Sequence, residues 1–175
     1  YTSRVMLEAL GVIDFGISNV VGGIIVMLSF INGSMSLAVN RFLAFEMGKN
    51  GYEKLNNVFC TAVNIHFIIA ILAVIIGETI GLWFVNTQLV IPAERIGAAN
   101  WVYQFSIVAF VFTILRVPYN ALIIAHEEMK FYAYVGILEG ILRLAIAFSL
   151  LIIAIDKLAL YGGMFAFVTG VISLT

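Results

Sequence analysis

Residues 15–40 read FGISNVVGGIIVMLSFINGSMSLAVN, a stretch without one formally charged side chain. A helix rises 1.5 Å per residue, so about 20 residues cross a hydrocarbon layer of roughly 30 Å. This stretch is long enough to span a bilayer. The same signature recurs on its C-terminal side: residues 55–77, 96–115 and 158–175 carry no formal charge, and residues 131–155 are apolar apart from Glu139 and Arg143. Apolar side chains circle these helices instead of forming one stripe, which is the pattern of segments surrounded by hydrocarbon.

Composition agrees. Of the 175 residues, 63% are apolar and 11% charged, and the mean hydropathy is +1.10. A soluble domain has about 45–50% apolar and about 25% charged residues, and a globule of this size cannot hide so much hydrocarbon behind so little polar surface. A soluble enzyme is excluded on that ground. An outer-membrane barrel would show strands of about ten residues alternating inward and outward, and no such alternation is present. The predicted fold is therefore an all-α, polytopic membrane helix bundle with five to six transmembrane helices. Their expected limits are 1–11 (the tail of a first helix), 15–47, 53–84, 96–126, 130–155 and 158–175 (the start of a sixth). With no initiator Met at Tyr1 and an apolar segment at the other end, the chain reads as a fragment, a single partial transmembrane domain.

Nine Lys/Arg against ten Asp/Glu leave a net charge of -1, so there is no basic face to neutralise a run of phosphates and nucleic acid is not an expected partner. Cys60 is the single cysteine and has no disulfide partner within the chain. Two prolines and the lack of a charged or low-complexity tract argue against disorder. Five basic residues, Arg41, Lys49, Lys54, Arg116 and Lys130, flank the connections near 41–57 and 116–130, against three, Arg4, Arg95 and Lys157, on the other side. The positive-inside rule places the five in the cytoplasm. Trp83 and Trp101 then lie at the outer interface, where an amphipathic ring is favoured. Short connections, with Gly48, Asn50 and Gly51 in one turn and Pro92 in another, make neighbouring helices antiparallel.

The polar residues of each span fall on stripes. At 100° per residue, Ser18, Gly22, Ser29, Gly33, Ser36 and Asn40 lie within about 60° of one another. Asn57, Thr61 and Asn64 share a face with Glu53, with Glu78 roughly on that side. A third stripe holds Ser106, Ala109, Thr113, Arg116 and Asn120, and a fourth Gly136, Glu139, Gly140 and Arg143. Such stripes form helix-packing seams, with Gly77/Gly81, Gly136/Gly140 and Ala166/Gly170 as small-xxx-small contacts, or they line a water-filled cavity. His66 points away from the polar stripe and reads as a packed histidine. Arg143 lies near the middle of its span, where insertion of an Arg costs roughly 2.5–3.5 kcal/mol. Glu139, one turn earlier, either neutralises it for insertion or leaves it to present a planar cationic fork to a phosphate or carboxylate. Arg41 and Arg116 sit nearer the cytoplasmic rim, where snorkelling anchors are common. Pro118 removes a helical hydrogen bond and predicts a kink, usable as a hinge.

Nothing in the sequence points to catalysis, a cofactor or a metal. HExxH, CxxC, GxSxG and Gly-rich phosphate-loop motifs are absent, the Gly22-Gly23 pair falls in mid-span, and His126, Glu127 and Glu128 read as a loop. The chain is predicted not to be an enzyme.

Several strings resemble a known family. They are Tyr1-Thr2-Ser3-Arg4 through Ala9-Leu10-Gly11, Asp14-Phe15-Gly16-Ile17, Asn19-Val20-Val21-Gly22-Gly23-Ile24, Arg41-Phe42-Leu43 with Phe45-Glu46-Met47-Gly48, Ala99-Asn100-Trp101-Val102-Tyr103-Gln104-Phe105, and Val117-Pro118-Tyr119-Asn120-Ala121 running on to Glu127. The whole chain is similar to bacterial polysaccharide-biosynthesis membrane proteins of the O-antigen flippase type, in the multidrug/oligosaccharidyl-lipid/polysaccharide exporter superfamily. That resemblance implies the first lobe of a two-lobed exporter in the bacterial inner membrane. It further implies flipping of an undecaprenyl-diphosphate-linked oligosaccharide by alternating access, for O-antigen, capsule or exopolysaccharide biosynthesis. Related lipid II flippases use cavity arginines from the first lobe; Arg41 occupies a comparable helix end, and Arg4 a loosely comparable one.

Arg143 is not carried over from the resemblance and enters on its depth in the span alone; with it, Arg41 and Arg116 are expected to hold the diphosphate, Asn40, Asn57, Asn64 and Asn120 to line the sugar path, Glu139 to be the intramembrane charge partner and Pro118 the hinge. The expected partners are the lipid-linked oligosaccharide, membrane lipid, and glycosyltransferases or the polymerase of the same pathway. Two alternatives stay open: a cation-coupled multidrug exporter of the same superfamily, in which Glu139 or Glu78 would matter, and a non-transporting scaffold that recruits glycosyltransferases.

Overall fold

A computed structural model describes residues 2–49, 52–89, 91–152 and 157–174. The described residues are overwhelmingly helical: α1 (Thr2–Gly48), α2 (Tyr52–Ile76), a π-helical turn (Gly77–Gly81), α3 (Leu82–Thr87), a 3-10 turn (Ala93–Arg95), α4 (Ile96–Ala125), α5 (Met129–Ile152) and α6 (Lys157–Leu174). Four stretches are long and apolar enough to cross a membrane: Ser3–Met27, Glu53–Thr87, Ile96–Ala125 and Met129–Leu150. This is the layout of a multi-pass membrane protein. It is fewer than the five to six spans expected, because Lys157–Ser173 is a shorter apolar helix and Ser3–Met27 takes in both the first-helix tail and the start of the next span. The predicted turn at Asn50 and Gly51 and the predicted end of the fifth helix at 153–155 lie outside the described residues.

No loop separates the first-helix tail from the next helix, contrary to the gap expected between residues 11 and 15. The chain turns on one residue, Gly11, whose φ of 79° and ψ of 169° leave the helical region while helix continues on both sides. Only glycine adopts that conformation without strain. On one side of the break Ala9 packs with Ile146, Leu150, Val168 and Ile172 of α5 and α6; on the other, Ile17 and Val21 pack with Ala98, Ala99 and Val102 of α4. The freed carbonyl of Ala9 accepts a hydrogen bond from Lys157 Nζ at 3.1 Å, and the buried Asp14 pairs with Arg95 at 3.5 Å. Gly11→Ala should cost about 1–3 kcal/mol, measurable as a lower thermal midpoint in detergent.

α4 is the hub. More of it is buried than of any other spanning segment, because α1, α2 and α6 all pack along it. At one end its Ala98, Ala99, Val102 and Tyr103 meet Ile17, Val21, Val85 and Leu158; midway Phe110 and Ile114 meet Ala70; at the other end Ala121 meets Val39, Leu43 and Ala62. Small residues decide how closely α6 approaches. A Cβ on Gly162 would stand 3.1 Å from the Val102 Cα, and one on Gly170 would stand 3.2 Å from the Phe112 ring. Ala166 is buried between them, so the seam begins one turn before the predicted Ala166/Gly170 pair. Gly136 and Gly140 of α5, by contrast, face nothing within 4 Å among the described residues.

The Gly77/Gly81 pair is a seam of another kind, in a π-helical turn that the sequence reading treats as ordinary helix. The Gly77 carbonyl accepts both the amide of Leu82, five residues on, and the Tyr103 hydroxyl at 2.7 Å. A Cβ on Gly81 would collide with that hydroxyl. One widened turn thus admits a fully buried phenol and satisfies its donor. Tyr103→Phe should lose about 1 kcal/mol, since the Leu82 amide still occupies the carbonyl; a denaturant titration in detergent measures it.

Candidate functional site: an arginine fork beside a cavity

α4 and α5 approach each other side by side where Arg116 and Glu139 meet. Arg116 Nη1 lies 3.2 Å from Glu139 Oε2, and Arg143 Nη2 lies 2.5 Å from Glu139 Oε1. The sequence places Glu139 and Arg143 one turn apart, which explains the second contact. The first is tertiary: the i, i+4 spacing that joins Arg143 to Glu139 says nothing of Arg116, which lies on another helix. One carboxylate therefore serves two guanidiniums, leaving a surplus positive charge.

The three groups differ in access. The Arg116 and Glu139 side chains are 19% and 25% exposed, whereas Arg143 is 47% exposed and lies over the Phe165 ring at 5.2 Å from its centroid. Arg116 is thus a paired, largely covered group and not the free rim anchor that its position near the end of a span suggested. The Arg143–Phe165 contact is a cation–π arrangement, stronger where water is scarce.

Arg116 also borders a cavity of about 520 Å³ between α4, α5 and α6, within the roughly 300–1,000 Å³ typical of ligand sites. Asn120, Tyr119, Tyr132 and Ser173 supply its polar lining, and Phe112, Phe131 and Ile172 are among its apolar walls. The Ser173 hydroxyl is held by the Phe112 and Thr169 carbonyls at 3.3 and 2.8 Å. Tyr119 stands edge-on to Phe59 at 5.4 Å. Tyr132 escaped the sequence reading, yet it precedes Gly136, Glu139 and Arg143 by 4, 7 and 11 residues, a helical-face spacing that extends the fourth stripe.

The other predicted residues do not gather round this cavity. Asn57 lines a separate, mainly apolar cavity of about 430 Å³ between α1 and α2, with Thr61 and His66. Asn64 and Arg41 are exposed on α2 and α1, and Asn40 is half-buried with its Oδ1 unpartnered. Among the described residues, then, the fork collects Arg116, Arg143 and Glu139, its cavity adds Asn120, and Asn40, Arg41, Asn57 and Asn64 lie elsewhere. The stripes carried little weight because Ser and Thr bond back to their own helix: Ser18 to the Phe15 carbonyl, Thr61 to Asn57, Ser106 to Val102 and Thr113 to Ala109. Such hydroxyls need neither water nor a neighbour.

Pro118 is fully buried, and α4 continues through it to Ala125. His126 and Glu127 form the following turn, with Glu127 at φ 59°, and no metal-binding group of His, Cys, Asp or Glu occurs among the described residues. His66 is buried, with its Nδ1 2.8 Å from the Ala62 carbonyl. Comparison with protein-family models, curated proteins and solved structures finds no match to this chain.

Proposed function

We propose that the chain is part of a flippase that moves an undecaprenyl-diphosphate-linked oligosaccharide across the bacterial inner membrane by alternating access, serving O-antigen, capsule or exopolysaccharide biosynthesis. The observation that carries this reading is the Arg116–Glu139–Arg143 cluster. Two guanidiniums from adjacent helices, sharing one carboxylate, offer an uncompensated positive charge within spanning segments beside a cavity of ligand size. Intramembrane charge is costly and in general marks a substrate or ion path.

The chemistry suits a lipid-linked diphosphate. Guanidinium forks match phosphate oxygens, the Asn120 and Tyr132 side chains suit sugar hydroxyls, and apolar walls suit a polyprenyl tail. With the five basic flanks in the cytoplasm, the cavity lies in the cytoplasmic half of the membrane, where such a cargo is assembled. Of the Val117-Pro118-Tyr119-Asn120-Ala121 string that carries the family resemblance, Tyr119 and Asn120 line the α4 wall of the same cavity. In this reading the lobe rocks as a body, with Pro118 as the hinge within α4, and the second lobe closes the path.

Deleting the gene and locating the glycan tests the reading. Lipid-linked oligosaccharide accumulating on the cytoplasmic leaflet is the expected result. Loss of glycan synthesis would instead indicate a scaffold for glycosyltransferases, and altered drug susceptibility with normal glycan would indicate a multidrug exporter.

A further inference from the structure

In the structure each oxygen of Glu139 is taken by a different guanidinium, Oε1 by Arg143 and Oε2 by Arg116. This is the way a phosphate oxygen pair would be held between the same two residues. A diphosphate entering the fork meets a carboxylate already there, and the two anions repel strongly at such a separation in a poorly screened site. Glu139 and the cargo headgroup are therefore alternatives. Glu139 cannot leave, since it is anchored on α5 one turn from Arg143, and it remains available to take the fork back.

We propose that Glu139 is a tethered competitor for the arginine fork, displaced when an anionic headgroup binds and returning to eject it. This rests on the reading of the fork as the headgroup site. A transporter needs such a device because a headgroup held too tightly by two arginines would not leave on the far side. The i, i+4 pairing alone would make Glu139 a partner for insertion. The bridge to Arg116 goes further, because one carboxylate then holds both guanidiniums that the headgroup needs.

The consequence distinguishes competition from support. In the full-length protein, Glu139→Gln removes the competing charge and keeps the side chain's size. Undecaprenyl diphosphate in detergent should bind this variant at least about tenfold more tightly than wild type. Undecaprenyl monophosphate, carrying less charge, should gain less, and flipping in proteoliposomes should slow because release is impaired. Glu139→Asp keeps the charge on a shorter arm that cannot span both arginines, so its affinity should fall between the two. It carries the test if Glu139→Gln fails to fold, as judged by its thermal midpoint. A folded Glu139→Gln, or Glu139→Asp in its place, that binds the diphosphate equally or more weakly than wild type overturns the competitor role and leaves the headgroup site standing. If wild type and both variants all fail to bind undecaprenyl diphosphate, the proposed function falls and this inference with it.

Discussion

Arg116→Gln in the full-length protein should reduce surface polysaccharide at least about tenfold while the protein remains in the membrane at its normal level. The expectation follows from charge arithmetic at the fork. Wild type sets two guanidiniums against one carboxylate; the variant sets one against one and has no surplus to offer a diphosphate. A tenfold loss needs about 1.4 kcal/mol of headgroup binding, less than the roughly 1.5–3 kcal/mol of one hydrogen bond to a charged group. Arg143→Gln should act in the same direction but less strongly, because its side chain is 47% exposed against 19% for Arg116. The pair of variants, followed by glycan staining of a deletion strain, gives an order of effect as well as a sign. Normal export by both at normal protein level would remove the fork from the transport path.

Gly162→Leu should destabilise the bundle by roughly 1–3 kcal/mol or more. Even a bare Cβ there would stand 3.1 Å from the Val102 Cα, and backbone cannot swing aside as a side-chain end can. The three remaining carbons of Leu would force α6 off α4, disturbing the layer in which Val102, Tyr103 and Leu158 are buried together. Gly136→Leu on α5 is the matched control, since nothing lies within 4 Å of its Cβ position. The comparison reads as a difference in thermal midpoint in detergent. Equal midpoints for the two variants would mean that α6 does not lie on α4 as described.

What the sequence revealed, and what it hid, divides along one physical line. Uncharged runs report solvent, so the helical class and the spanning segments from Glu53 to Thr87 and from Ile96 to Ala125 were readable directly. Local spacing also reports faces within one helix, hence the pairing of Glu139 with Arg143. Contacts between helices leave no such trace. The bridge from Arg116 to Glu139, the place of Tyr132 on the cavity and the approach of Gly162 to Val102 all depend on which faces meet. A polar stripe is ambiguous for the same reason: Thr113 and Ser106 satisfy themselves on their own helix, whereas Arg116, on the same stripe, reaches across to α5. The turn at Gly11 and the π-helical turn at Gly77–Gly81 were hidden differently. Each keeps the apolar helical pattern on both sides while one backbone position or one widened turn changes the chain's course.

The arginine fork is expected to carry an anionic lipid headgroup through the membrane. The full-length protein, reconstituted into vesicles with a fluorescent undecaprenyl-diphosphate oligosaccharide, tests this directly when an impermeant quencher reports how fast the label changes leaflet. Wild type should move it well above the protein-free rate, and an Arg116→Gln/Arg143→Gln double variant should fall back to that rate. Movement by the double variant at the wild-type rate, or none by wild type, would contradict the account.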